Sequence, residues 1–311
     1  MEEFPPRMER SPWTQVVFTL LVALAGFIII GPMIGLFMAF PFYDGTAMTF
    51  LEDLSAPLAH PEIKLPLFIV QGAATFIGLA LIPAFFHYKS RGENIFRQMK
   101  STDLVSLLVI SAVMIFFMAF NSVFVQWNSS VQLPDFLKGF EQWAREKEDL
   151  AMQVTQFLTT FNSFGEFVIG LVVIAIFPAI GEELVFRGLL QPELNRATRN
   201  AHAAIWISAC FFSALHMQFF GFFPRLLLGA LLGYLYFWSG NLLVPVLGHL
   251  VNNGFIVVMM YLKKSTLAGM DIEGQKAAPW PVVLLFTAIT AALLFYFRKS
   301  QLEKQSLDNR S

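Results

Sequence analysis

Apolar residues in this chain gather into long runs, and most polar residues collect between them. A run of about 20 mostly apolar residues is long enough to cross a bilayer as a helix. Segments 16–40, 65–87, 104–125, 164–186, 203–220, 223–239, 242–262 and 281–297 meet that criterion. Backbone groups in hydrocarbon must be satisfied within their own segment, so such runs predict helices. The fifth, sixth and seventh are separated only by Gly221-Phe222 and Gly240-Asn241. Connections that short force antiparallel neighbours, so these three should pack as a compact hairpin series.

The connections add orientation. With the N-terminus inside, the inner segments hold Arg7, Arg10, Lys89, Arg91, Arg97, Lys100, Arg187, Arg196, Arg199, Arg298, Lys299, Lys304 and Arg310, which is 13 of the 21 basic residues. Lys and Arg concentrate on the cytoplasmic side of membrane proteins, which sets both termini in the cytoplasm. The longest connection, 126–163, carries Leu133, Phe136, Leu137, Phe140 and Trp143 at helical spacing among acids and bases. That pattern predicts an amphipathic helix resting on the membrane, with a lid or partner surface as the functional alternative. The segment 298–311 is polar and reads as a mobile tail. The expected fold is all-α: a polytopic membrane protein, 1–311 as a single transmembrane domain, with about eight helices around a polar intramembrane cavity. Short loops and the lack of a eukaryotic retention or targeting signal point to a prokaryotic plasma membrane.

Composition narrows the classes. Charged residues make up 14% of the chain and hydrophobic residues 56%, against about a quarter charged in a soluble domain. A net charge of −1 supplies no basic field for nucleic acid. One cysteine, Cys210, excludes a disulfide framework and a multi-cysteine metal site, and reads as a small apolar helix residue.

An ionisable group at the centre of a membrane helix costs about 2.5–3.5 kcal/mol on insertion scales, so each one needs a reason. Glu166 and Arg225 lie close enough to span ends to reach the interface. Three clusters do not. Glu182 and Glu183, toward the end of the fourth run, project about 100° apart on a helix and cannot share a role. Glu183 and Arg187 are four apart and can form a structural ion pair. Glu182 is left on the face of Pro178, Phe186 and Leu189, where an apolar setting suits a base toward water, unless it is merely solvated at the membrane surface. His216, in the fifth run, has Phe212 one turn back on its face. Taken alone, such a histidine is more often a helix–helix hydrogen-bonding residue. His249 and Asn253, in the seventh run, share a face and could hold an oxyanion. Together the three clusters supply the parts of a hydrolytic site.

These residues, E-E-x-x-x-R (Glu182, Glu183, Arg187), F-x-x-x-H (Phe212, His216) and H-x-x-x-N (His249, Asn253), resemble in order the three motifs of the CPBP family, the CAAX proteases and bacteriocin-processing enzymes, also called the Abi family. The resemblance covers 164–262, which would be the catalytic core. It implies an intramembrane endopeptidase in which Glu182 activates water and His216 helps to hold it. His249 and Asn253 would stabilise the tetrahedral oxyanion, and Glu183 with Arg187 would brace the helix. The implied partners are the lipid bilayer and a peptide or protein substrate; members acting on prenylated proteins remove the last three residues of a CaaX tail. The family is also described as metalloproteases. Zinc would need three protein ligands plus water, and Glu182, His216 and His249 are the available set, although a ligating Glu182 would not easily also act as base.

One tension is geometric. At 1.5 Å per residue His216 lies about 20 Å from the inner start of its run and His249 only about 10 Å from the start of its own. Meeting requires the fifth helix to start late, tilt or begin outside the hydrocarbon, and hydrolysis requires a water-filled cavity, expected to open to the cytoplasm. Two rival classes use the same residues: a proton or solute path, and a catalytically silent scaffold or bacteriocin-immunity protein. The paired broken helices in matching halves that transporters often show are missing from the sequence.

Overall fold

The protein was analysed as a computed structural model, which describes residues 11–263, 266–267, 270–271 and 276–308. In chain order the principal helices are α1 (Pro12–Phe42), α2 (Pro61–Arg91), α3 (Leu104–Ser129), α4 (Lys138–Thr159), α5 (Phe164–Thr198), α6 (Ala201–Ala214), α7 (Phe222–Ser239), α8 (Leu243–Tyr261) and α9 (Trp280–Asp308). All of these except α4 and α6 are long and apolar enough to cross a membrane, seven helices among the described residues. A short helix, Ala47–Ser55, lies between α1 and α2, and Thr266–Leu267 pairs antiparallel with Met270–Asp271. The fold is polytopic and all-α apart from that pairing.

Chain direction alternates, so the connections sort onto two faces. On the first face Arg91 pairs with Glu193 at 2.5 Å, Asn241 bonds the Lys100 carbonyl and Thr102, and Lys304 reaches Asp103 at 2.5 Å. These contacts gather 92–103, the α5–α6 and α7–α8 turns and the end of α9. On the second face Lys64 meets Glu166 at 2.7 Å, and Glu148 of α4 accepts from the Phe220 N–H at 2.6 Å. The first-face turns are closed by left-handed residues: Gly92 (φ 76°), Arg199 (φ 53°) and Gly240 (φ 59°).

Close backbone approach holds the bundle. A Cβ on Gly26 of α1 would strike the Gly78 backbone of α2, and the reverse is equally true. Without a hydrophobic drive between helices in lipid, such small-residue seams let dispersion contacts accumulate. The centre is α5, whose Val185, Phe186, Leu190 and Leu194 pack with Val16, Leu79, Ala204 and Phe212. A second cluster joins α3, α7 and α8 through Ile110, Met114, Leu232, Leu235 and Val244. Outward-facing Phe37, Leu284 and Phe295 are largely exposed, which suits lipid contact.

Four sequence expectations change. The fourth run does not end at 186: α5 continues through a wide-turn stretch, Leu184–Leu190, to Thr198. Its buried polar groups find partners on neighbouring helices, such as Gln191 to the Gly233 carbonyl at 3.1 Å, so composition alone could not mark the true end. The fifth run does not continue to 220: α6 stops at Ala214, where Met217 turns left-handed (φ 53°). The long connection starts after Ser129, and its amphipathic part folds as α4. The polar segment after 297 is helical to Asp308, because Gln301 bonds to Ser106 of α3 and Lys304 to Asp103 just before it.

Candidate active site

The extension of α5 dissolves the depth problem. Glu182 sits 16 residues before Thr198, about 24 Å from the first-face end of α5. His216 follows α6, which starts beside that same end and runs back about 20 Å. The two therefore meet at one level along the bundle. Gly181 permits the approach of α5 to α2: a Cβ there would lie 2.6 Å from the Thr75 carbonyl oxygen and 3.0 Å from the Leu79 Cβ.

Glu182 Oε2 stands 3.9 Å from His216 Nε2 and is a buried oxygen with no hydrogen-bond partner. His216 Nδ1 lies 2.8 Å from the Phe212 carbonyl oxygen. A carbonyl only accepts, so Nδ1 carries a proton, and in the neutral ring Nε2 turns its lone pair toward Glu182. The turn that ends α6 makes this possible, since it frees the ring from the helix direction while one hydrogen bond sets its orientation.

Glu183 is fully buried and serves two partners. Its Oε1 accepts from Arg187 Nη1 at 2.6 Å and faces His249 Nδ1 at 2.8 Å. The expected Glu183–Arg187 pair is thus present, with His249 as an unforeseen third member. Arg187 also donates to the Gly229 carbonyl at 2.8 Å, tying α5 to α7. The Phe212 ring lies between these groups, with Arg187 at 4.8 Å, His216 at 5.1 Å and His249 at 5.9 Å. Asn253 lies one turn along α8 from His249; its amide donates to the Ile174 carbonyl at 3.4 Å and accepts from Asn252 at 3.0 Å.

Glu182, Phe212, His216, His249 and Asn253 all line one cavity of about 480 Å3. Its other walls include Asn121, Val125, Gly221, Arg225 and Lys276, residues close to the second face. The cavity therefore runs toward the face that bears α4, away from the basic 92–103 connection. The sequence expectation is a cavity open to the cytoplasm, the side assigned to the basic-rich face; the lining runs toward the opposite face. The cause is that α6 ends short of the second face and leaves a gap between α3, α7 and α8. Arg225 is a correction: it lines the cavity, and its Nη1 is buried without a hydrogen-bond partner, so it does not simply reach to the interface. Its closeness to a span end hid this role; the one available hint was an arginine one turn before Gly229 on the same helix.

The three proposed zinc ligands are not drawn together in this structure. Among the described residues, the one group of three histidine or carboxylate ligand atoms lying within 4.8 Å of one another is Asp53, His60 and Glu62. Glu182, His216 and His249 are not so gathered; His249 gives Nδ1 to Glu183, which leaves Nε2 as its one free ligand atom. The Asp53 group lies on the second-face connection between α1 and α2, and His60 turns opposite ring nitrogens toward Asp53 and Glu62, each at 3.4 Å. One ion cannot take both nitrogens of one ring.

Residues 164–255 match the family described as type II CAAX prenyl endopeptidase Rce1-like. The match contains all three motifs and agrees with the resemblance to the CPBP family. The chain is also similar to a Bacillus subtilis (strain 168) protein described as "Uncharacterized protein YpbD", 31% identical over 85 residues. That alignment covers 26% of this chain and 40% of the relative's length. No solved structure matches the chain.

Proposed function

We propose that this chain is an intramembrane endopeptidase that cleaves membrane-associated peptides near their C-terminus, with Glu182 as the base that activates water. The observation that carries this reading is the Glu182–His216 pair: an unpartnered carboxylate oxygen 3.9 Å from an imidazole nitrogen, in one cavity. A water about 2.8 Å from each atom would bond to both. Glu182 takes its proton as the oxygen attacks the substrate carbonyl carbon. The resulting oxyanion is held by donors on α8, and the proton then passes to the leaving nitrogen as the C–N bond breaks. Asn253 offers its amide as donor. His249 offers Nε2 to the cavity, and with Nδ1–H given to Glu183 that nitrogen donates only in the imidazolium form. No step needs a metal ion.

The rival transport path finds less support. Beyond the Glu182–His216 pair toward the first face lies the Glu183–Arg187–His249 cluster, with side-chain exposures of 0%, 1% and 4%. A path for solute would have to breach that cluster.

The test is cleavage of a lipidated C-terminal reporter peptide by the purified full chain, with products identified by mass. Wild type is expected to cleave with or without a strong zinc chelator. Glu182→Gln and His216→Ala should each lose at least about a hundredfold, the scale of general-base catalysis, while keeping wild-type thermal unfolding. Full activity in Glu182→Gln would overturn the mechanism. Loss of wild-type activity in the chelator, restored by zinc alone, would overturn the metal-free reading.

A further inference from the structure

A guanidinium buried in a membrane-spanning helix needs a compensating anion. Arg187 has one in Glu183. Arg225 has none: among the described residues no carboxylate lies within ion-pair distance of it, and its hydrogen-bond partner is neutral Gln218. Glu148 and Glu182 attract it only from farther away. Its Nη1 is buried and unpartnered, and the guanidinium packs over Gly221, where any side chain would displace it. Lys276 lines the same cavity and adds a second positive charge. Glu182 and His216 line the same cavity. One cavity thus holds both a base and a cation that lacks an ion-pair partner and keeps a free donor.

From this arrangement we infer that Arg225 holds the free C-terminal carboxylate of the peptide substrate and so fixes which bond reaches Glu182. The inference rests on the peptidase reading above and supplies its specificity. A terminal carboxylate is the anion that every C-terminal tail carries whatever its side chains, and a guanidinium meets it with two parallel hydrogen bonds. Arg225 sits one turn from Gly229, whose carbonyl anchors Arg187 one helical turn past Glu182, so the cation is held near the height of Glu182 in the same cavity. A cavity of 480 Å3 is about 10 Å across, and extended chain advances about 3.4 Å per residue, which leaves room for about three residues between anchor and base. Peptides whose C-terminus lies much farther from the bond would leave Arg225 unpaired when bound.

The test uses the purified full chain and two apolar peptides, identical except that one ends in a carboxylate and the other in a carboxamide. Both their cleavage and their binding are measured. Wild type should favour the acid by about ten- to a hundredfold in kcat/KM, mostly through KM, the worth of a hydrogen bond to a charged group. Arg225→Gln should collapse that ratio toward one, and Arg225→Lys should restore part of it. Equal handling of acid and amide by wild type, or a ratio that survives Arg225→Gln, overturns the anchor and leaves Arg225 as a distant counter-ion for Glu182 and Glu148. Binding in the Glu182→Gln background separates the two readings. Arg225-dependent preference for the acid there, without cleavage by wild type, sinks the peptidase reading but keeps the anchor. A third arm measures unfolding in phosphatidylglycerol against phosphatidylcholine vesicles. Arg225-dependent stabilisation by phosphatidylglycerol without acid–amide discrimination overturns the inference and assigns the cation to a lipid phosphate.

Discussion

Removing the Glu183 carboxylate should destabilise the fold far more than it alters the reacting groups. Arg187 is 1% exposed and Glu183 fully buried, and a single carboxylate oxygen serves both Arg187 at 2.6 Å and His249 at 2.8 Å. Glu183→Ala leaves the guanidinium with the Gly229 carbonyl and the Phe212 ring and no anion. Breaking a buried pair from one side costs about 3–5 kcal/mol, because the stranded charge keeps its desolvation penalty. Each single substitution that strands a charge should therefore lower the unfolding midpoint of the detergent-solubilised protein by many degrees. Removing both charges is different. Glu183→Leu with Arg187→Met keeps volume and leaves no stranded ion, so the double variant should be more stable than Glu183→Ala by about 2 kcal/mol or more. The assay is a double-mutant cycle of thermal or denaturant unfolding in one detergent. Additive losses, or a Glu183→Ala variant within about 0.5 kcal/mol of wild type, would refute the argument that this cluster is an electrostatic unit.

Further predictions follow from other parts of the bundle. Gly181→Ala places a methyl carbon 2.6 Å from a backbone oxygen of α2 that cannot yield; it should cost about 1–3 kcal/mol and depress turnover by shifting Glu182, both readable on the purified variant. Asp103, hydrogen-bonded first by Lys304 and then by the Ser106 N–H, has its carboxyl held below the usual range. A depressed carboxyl stabilises the fold above its unfolded pKa and loses that contribution as pH falls through the folded value. Because the pair is half-exposed, Asp103→Asn should cost under about 1 kcal/mol at pH 7, with the difference from wild type shrinking as pH falls below about 4 in an unfolding series. Orientation can be read in intact cells. With the basic face inside, a membrane-impermeant thiol reagent should label Lys276→Cys and not Arg97→Cys in a Cys210→Ala background; the reverse pattern would put the cavity mouth in the cytoplasm.

The sequence by itself determined that the chain crosses a membrane as helices, since uninterrupted apolar runs have no other way to satisfy their backbone groups in lipid. It also singled out Glu182, His216, His249 and Asn253, because charge and imidazole inside such runs are costly enough to stand out one residue at a time. Tertiary structure decided what depends on partners. Arg187 and Gln191 look like the approach to a polar loop until Gly229 and Gly233 on α7 accept their hydrogen bonds, and only then can α5 run on to Thr198 and place Glu182 in its middle. His249 looks like part of a pair with Asn253 until α8 packs on α5 and Glu183 takes its Nδ1. Arg225 looks like a residue escaping to the interface until α6 ends early and opens the cavity beside it. In each case the local pattern sets the cost of a polar group, and the neighbouring helix sets how that cost is met.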